Sequence, residues 1–334
     1  MKKILSIFLA VSFILTMTMT ASAAKKIQIS VSHSNTSYIY MAAEEFARRA
    51  NEYSDDSLEF EIVPNGALYE GIVDYGIQQL SNGALQIVIL STATYTNFVP
   101  GFNVISVPYM FDNQEQLLEY LNSDIATELF NRVNAMGITV AGKWTRSFRE
   151  ITNSKRPISK PSDFQGVFLR VPNNPLYVEF FTSCGAITTP MDVSGVYKGL
   201  EKGYIDGQDN PLDVAYSNKF YEVQKYISFT NHMADVWLVG INTKFLKKLS
   251  RKEQSAIERA GQEVQKWNVK MIAEQDKIVL EELLDKGMEA NEISKEAQQQ
   301  FVEISKSCYD KFKQLIRDDE LLKATAKFTG KSVD

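Results

Sequence analysis

The stretch GVFLRVPNNP, residues 166–175, places one arginine inside a run that otherwise has the pattern of a buried strand ending in a turn. Burying a guanidinium without a partner costs several kcal/mol. An anion is therefore expected beside Arg170. It could be a carboxylate of the protein itself, such as that of Asp163, or it could belong to a ligand.

Strands and helices alternate on both sides of this stretch. The runs KIQISVS (26–32) and LQIVIL (85–90) are typical of strands, and apolar spacing near 3.6 over residues 37–53 predicts an amphipathic helix. A second set of such units begins with GVFLRVP, so we predict an α/β protein with two lobes on mainly parallel sheets. Residues 250–288 contain no proline and only Gly261 as an internal glycine before their end, which predicts a helix long enough to span both lobes.

The first 23 residues have the pattern of a secretory signal peptide. Two lysines precede an apolar run, and Ala21-Ser22-Ala23 matches a cleavage site after Ala23. An uncleaved membrane anchor is the alternative, but the polar interruptions and the alanine-rich end favour cleavage. The net charge is −5, without a concentrated basic face, which argues against a nucleic-acid partner. We therefore expect a periplasmic or otherwise extracytoplasmic protein.

The sequence lacks the residue patterns of common catalytic and metal sites. Cys184 and Cys308 are the only cysteines, and His33 and His232 the only histidines, with no ligand spacing among them. One disulfide between the two cysteines stays possible. No nucleophile elbow, phosphate loop or dinucleotide fingerprint is present. An exported two-lobed protein of this kind is most simply a ligand-binding protein with its ligand in the cleft.

Three segments carry a resemblance to a known family: WTRSFREITNSKRPISKPSDFQGVFLRVPNNP (144–175), TTPMDVSGVYKGLEKGYIDGQDNP (188–211) and KFYEVQKYISFTNH (219–232). They resemble the extracytoplasmic solute-binding subunit of tripartite ATP-independent periplasmic (TRAP) transporters, the DctP-like family. The resemblance implies no enzymatic activity, no cofactor or metal, an organic anion as ligand and a membrane permease as partner. We expect a monomer.

The resemblance also implies a periplasmic-binding-protein-like fold and its division. Lobe I would comprise residues 24–147 with 236–275, and lobe II residues 148–235 with 276–334. Residues 1–23 would be the removed leader.

The family resemblance assigns three residues to the ligand. The strand arginine of the LRVP motif, which pairs in two-pronged fashion with a carboxylate, corresponds to Arg170. The asparagine of the GQxNP motif corresponds to Asn210, and a second arginine to Arg149, although Arg146 lies nearby and one of these two is expected at the surface. A guanidinium matches the two oxygens of a carboxylate, so Arg170 should decide the ligand class. Asn210 could alternatively be a turn residue, since it precedes Pro211.

Further candidates follow strands or fall near the cleft by family position: His33, Ser34, Asn35, Ser91, Trp144, Asp192, Asp235 and Trp237. His33 and Trp144 could equally be packed residues. The chain departs from the family at Ser147, where glycine is frequent, and at Asp192, where a small or apolar residue is frequent.

Asp192 bears on the ligand. A carboxylate near a bound anion is repulsive unless the ligand turns hydrogen-bond donors toward it, and the hydroxyls of a sugar acid supply such donors. A hexuronate or aldonate is therefore favoured, with a C4-dicarboxylate or another monocarboxylate as the alternative. Asp192 could instead cap the helix that follows it. A ligand sensor of the same fold and an exported enzyme with His33 as a base are the other functions considered.

Overall fold

A computed structural model describes residues 24–333, so the predicted leader lies outside the described residues. The strands are β1 (Lys25–Val31), β2 (Leu58–Val63), β3 (Ile87–Ser91), β4 (Ile138–Thr145), β5 (Glu150–Asn153), β6 (Phe168–Val171), β7 (Ile187–Pro190), β8 (Gly207–Asn210), β9 (Tyr226–Phe229), β10 (Val236–Asn242) and β11 (Glu289–Glu292). The helices are α1 (Tyr38–Tyr53), α2 (Val73–Asn82), α3 (Gln114–Leu121), α4 (Asp124–Asn131), α5 (Pro175–Ser183), α6 (Val196–Glu201), α7 (Leu212–Ser217), α8 (Thr243–Leu246), α9 (Arg251–Asp285), α10 (Lys295–Ser307), α11 (Tyr309–Ile316) and α12 (Asp319–Thr329). None of the described helices is long and apolar enough to cross a membrane.

The strands form two sheets, as the alternation of elements predicted. The first has the order β2-β1-β3-β10-β4 and the second β11-β9-β5-β8-β6-β7. Neither is wholly parallel, because β10 runs antiparallel to both β3 and β4, and β5 runs antiparallel to β8 and β9. The prediction of mainly parallel sheets is therefore wrong for these two strands, each of which enters its sheet from the other one. All seven residues of β10 are buried, as expected of a strand with neighbours on both sides.

Two crossing segments connect the sheets. Residues 146–149 lead from β4 to β5, and residues 230–235 lead from β9 back to β10. They run side by side, since the Arg146 amide donates to the Asp235 carbonyl (3.3 Å) and the Arg149 amide to the Met233 carbonyl (3.0 Å). The backbone between the sheets is therefore a paired ribbon.

The predicted long helix is α9, which has 35 residues. Ser250 and Glu253 form a capping box at its start. We call the part of the protein built on the first sheet the first half and the part built on the second sheet the second half. The helix packs on α1 and β4 of the first half and on α7 of the second half. Gly261 allows the close approach to β4, because a Cβ there would lie 1.8 Å from the Ala141 carbonyl oxygen. The single internal glycine of this helix is thus a packing requirement.

The last two helices contact the first half of the protein. Arg132 pairs with Asp318 at 2.6 Å, and Tyr120 shares a hydrogen bond with Thr325 at 3.1 Å. Helix α11 also packs on α5 of the second half. The division into lobes remains a prediction, and these contacts argue for placing residues 309–329 at the junction rather than in lobe II. Cys184 and Cys308 are both buried and free.

Candidate functional site

Residues from both sheets and from the crossing segments converge on a cavity of about 50 Å³. Strand ends supply most of its wall, because β1, β3, β6 and β8 all finish there. Next to the lining residue Val193, the Ser194 hydroxyl donates to the Gly71 carbonyl (3.3 Å), which joins loops of the two halves. The polar residues that line the cavity are Ser32, His33, Ser91, Thr94, Arg146, Arg149, Arg170, Asn173, Asp192 and Asn210.

Arg170 is buried in β6, and its side chain is 3% exposed. Its Nε and Nη2 donate to the carbonyl oxygen of Met191 at 3.0 and 2.6 Å. Asp163 is not its partner, because that carboxylate accepts from the amides of Ser159 and Lys160. Within the described part of the chain no carboxylate lies at ion-pair distance from Arg170. Burial lowers the pKa of Arg170 to about 10, although the charges of Asp209 and Asp192 act to raise it.

Arg149 is held on all sides by the protein. Its Nε and Nη2 donate to the Oδ2 and carbonyl oxygen of Asp209 at 2.6 and 2.7 Å, and its Nη1 donates to Asp235 at 3.0 Å. Although burial acts to raise it, Arg149 and His232 hold the pKa of Asp209 well below its usual value. Arg149 therefore ties the end of β8 to the crossing segments.

Arg146 is also buried, at 2% exposed, so the expectation that one of the two arginines is a surface charge is wrong. Its Nη1 donates to Asp235 at 2.6 Å, and its guanidinium lies over the Trp237 ring with 5.2 Å between Cζ and the ring centroid. Its Nε and Nη2 have no hydrogen-bond partner among residues 24–333. Of the two neighbouring arginines, this one has free donors.

His33 follows β1 and is 5% exposed, and its Nδ1 has no partner within the described chain. Burial, together with the charges of Arg146, Arg170 and Arg149, lowers its pKa well below the ordinary value. The imidazole is therefore neutral at pH 7. Ser91 lines the same cavity and donates from Oγ to Asp235 at 2.6 Å.

Asp192 and Asn210 also line the cavity. Asp192 precedes a short 3₁₀ turn, Val193–Gly195, yet its side chain makes no capping hydrogen bond. It accepts from Asn173 Nδ2 at 3.2 Å, and burial raises its pKa. Asn210 is 4% exposed and donates to Gln208 Oε1 at 2.6 Å. The helix-cap alternative for Asp192 thus lacks its defining contact.

Five predicted residues do not line the cavity. Trp144 is in the hydrophobic core, where its Nε1 donates to the Gly261 carbonyl at 3.0 Å. Trp237 is buried beneath Arg146, and Asp235 is the counter-ion of both crossing-segment arginines. Asn35 is exposed, and Ser34 donates to the Ser217 carbonyl.

Two features of the site were not predicted from the sequence: Arg146 lines the cavity, and Asp209 is the partner of Arg149. An acidic residue inside GQDNP, a run that is buried throughout β8, is a signal that could have indicated an internal ion pair.

Comparisons with known proteins agree on one family. The sequence model described as bacterial extracellular solute-binding protein, family 7 (DctP), matches residues 29–315. The C4-dicarboxylate-binding protein DctB of Bacillus subtilis (strain 168) is 29% identical over 243 residues, which are 73% of this chain and 69% of that protein.

Two solved structures show the same fold. The sugar acid binding protein DctPAm of Advenella mimigardefordensis strain DPN7T, in complex with galactonate, has a TM-score of 0.87 and 27% identity, covering 92% of this chain and 98% of that one. A TRAP periplasmic solute binding protein of Sulfitobacter sp. NAS-14.1 with bound β-D-galacturonate has a TM-score of 0.84 and 26% identity, covering 92% of this chain and all (100%) of that one.

Proposed function

The chain belongs to family 7 of the bacterial extracellular solute-binding proteins, the DctP family of TRAP transporters, and we propose that it captures a sugar acid, a hexuronate or an aldonate. The family is one of transport proteins that bind organic acids and is not an enzyme class. The family assignment therefore excludes the alternative function, an exported enzyme with His33 as its base.

One observation carries the choice of ligand. Arg170 and Asp192 line the same cavity, and neither is ion-paired with a described residue. Arg170 offers its charge to a carboxylate, whereas Asp192 can only accept hydrogen bonds once ionised. A ligand with one carboxylate and several hydroxyls satisfies both groups. The galactonate and galacturonate in the two similar structures support this chemistry for the present chain.

A C4-dicarboxylate is the second candidate. The free donors of Arg146 could receive a second carboxylate, and the relative from Bacillus subtilis carries that ligand class in its name. Asp192 opposes this arrangement, because it adds a negative charge to a cavity that would already hold two. The sugar acid therefore remains the proposal.

Calorimetry on the purified protein tests the ligand class. D-galactonate, D-galacturonate and D-glucuronate are titrated beside succinate, malate and fumarate. We expect at least one sugar acid to bind more tightly than every dicarboxylate. Tighter binding of the dicarboxylates would overturn the sugar-acid assignment, and binding of none of the six would contradict organic-acid capture through Arg170 as proposed here.

We propose that the protein works outside the cytoplasm and passes its ligand to the membrane permease of a TRAP transporter. The family assignment and the predicted leader support this location. Mass spectrometry of the exported protein should give an N-terminus at Ala24. Uptake by vesicles that contain the permease should require the protein, whereas a sensor of the same fold would bind the ligand without stimulating uptake.

A further inference from the structure

Arg146 has more hydrogen-bonding capacity than the protein uses. Its Nε and Nη2 are without partners in residues 24–333, although the side chain is 2% exposed and lines the cavity. Leaving buried donors of a charged group unsatisfied is costly, so such donors indicate a group that is supplied from outside. Arg149, three residues later, has Nε, Nη1 and Nη2 all engaged and offers no comparable opening.

His33 supplies a second unsatisfied atom in the same cavity. Its Nδ1 is buried and lacks a partner in the described chain, and its ring is neutral. His33 follows β1, and Arg146 lies over the ring of Trp237 on β10; both strands belong to the first sheet. Arg170, in contrast, lies on β6 of the second sheet and contacts Met191, so it lines the cavity from the other sheet.

We propose that Arg146 and His33 form a second polar subsite, which binds a hydroxyl group at the end of the ligand remote from its carboxylate. A hydroxyl can accept a hydrogen bond from the guanidinium and donate one to a neutral imidazole nitrogen, whereas a carboxylate can only accept. Arg146 is already paired with Asp235 at 2.6 Å, so it does not require a second anion. The subsite therefore selects long polyhydroxylated acids. It rests on the proposed function and identifies the residues that contact the end of the ligand remote from its carboxylate.

A cycle of changes in protein and ligand tests the subsite. D-galactonate and 6-deoxy-D-galactonate differ by the terminal hydroxyl alone, and each is titrated by calorimetry into the wild type and Arg146→Gln. We expect the wild type to prefer D-galactonate about 10- to 100-fold, the usual loss for a hydrogen bond to a charged group. In Arg146→Gln this preference should fall below about 3-fold, whatever loss of affinity the two ligands share.

Controls separate the subsite from folding and from the proposed function. Arg132→Gln breaks an arginine–carboxylate pair away from the cavity and should leave both affinities unchanged. If Arg146→Gln does not fold by circular dichroism, His33→Leu takes its place with the same expected loss of preference. No preference in the wild type, or a preference retained in the variant, overturns the subsite. Failure of the wild type to bind any of the six acids contradicts the proposed function instead.

Discussion

The guanidinium of Arg170 is held side-on by the backbone carbonyl of Met191, through Nε at 3.0 Å and Nη2 at 2.6 Å. A carbonyl fixes the orientation of the side chain without neutralising its charge. The arginine is therefore positioned before the ligand arrives and keeps its full attraction for an anion.

Replacement of Arg170 should abolish measurable binding while the fold is retained. Losing one partner of a buried charge pair costs about 2 to 5 kcal/mol, which is roughly a 30-fold to several-thousand-fold rise in Kd. Arg170→Lys should also bind much more weakly, because an ammonium cannot contact Met191 and a carboxylate in the same plane. Calorimetry measures both variants. Near wild-type affinity in Arg170→Ala would exclude this arginine from the site.

Asp192 should control preference rather than stability. Its side chain makes no capping bond, so Asp192→Asn should change the free energy of unfolding by less than about 0.5 kcal/mol. Loss of the charged acceptor should weaken D-galactonate about 10-fold and improve succinate relative to it. The ratio of the two Kd values is the readout. An unchanged ratio would show that Asp192 does not contact the ligand.

Stability should decrease as the pH rises from about 4 to 6, because of Asp213. Burial and the nearby Asp276 raise its pKa from the ordinary 3.8 to about 6, even though Arg146 acts to lower it. The folded state therefore holds this proton more tightly than the unfolded state, and the penalty is absent below pH 3.8 and complete above pH 6. It amounts to roughly 3 kcal/mol at neutral pH.

Asp213→Asn tests this linkage by thermal unfolding at pH 4 and pH 8. The variant should gain several degrees in Tm at pH 8 and little or nothing at pH 4. Asp310→Asn, at an exposed position, should show no such difference between the two pH values. An equal shift of Asp213→Asn at both pH values would contradict the assignment.

Gly261→Ala should destabilise the protein strongly. A Cβ at this position would lie 1.8 Å from the carbonyl oxygen of Ala141, which belongs to a strand and cannot rotate away. Overpacking of this kind typically costs about 1 to 3 kcal/mol or more. Urea unfolding measures the loss, with Gly195→Ala as control, because its added Cβ would meet nothing closer than Met191 Sδ at 3.7 Å. Equal stability of the two variants would argue against the close contact of α9 with β4.

The sequence predicted the elements and the strand arginine because these depend on local patterns. Period-3.6 and period-2 apolar spacing and a lone charge in an apolar run can all be read within a dozen residues. The roles of Arg146 and Arg149 could not be read in this way, since their partners Asp235 and Asp209 lie 89 and 60 residues away. The positions of Trp144 and Trp237 could not be read in this way either. Alternate residues of a strand face opposite sides of the sheet, and the side that each tryptophan faces depends on the register between β4 and β10.

The paired crossing segments also bear on how this protein can acquire new ligands. Arg149 joins Asp209 and Asp235 at the ribbon between the two halves and also lines the cavity, so a change at any of the three alters the connection between the halves together with the cavity wall. His33 and Asp192 lie outside that ion-pair network. Evolution, or a designer who wants a biosensor for another acid, can vary these two positions while leaving the ion pairs at the ribbon intact.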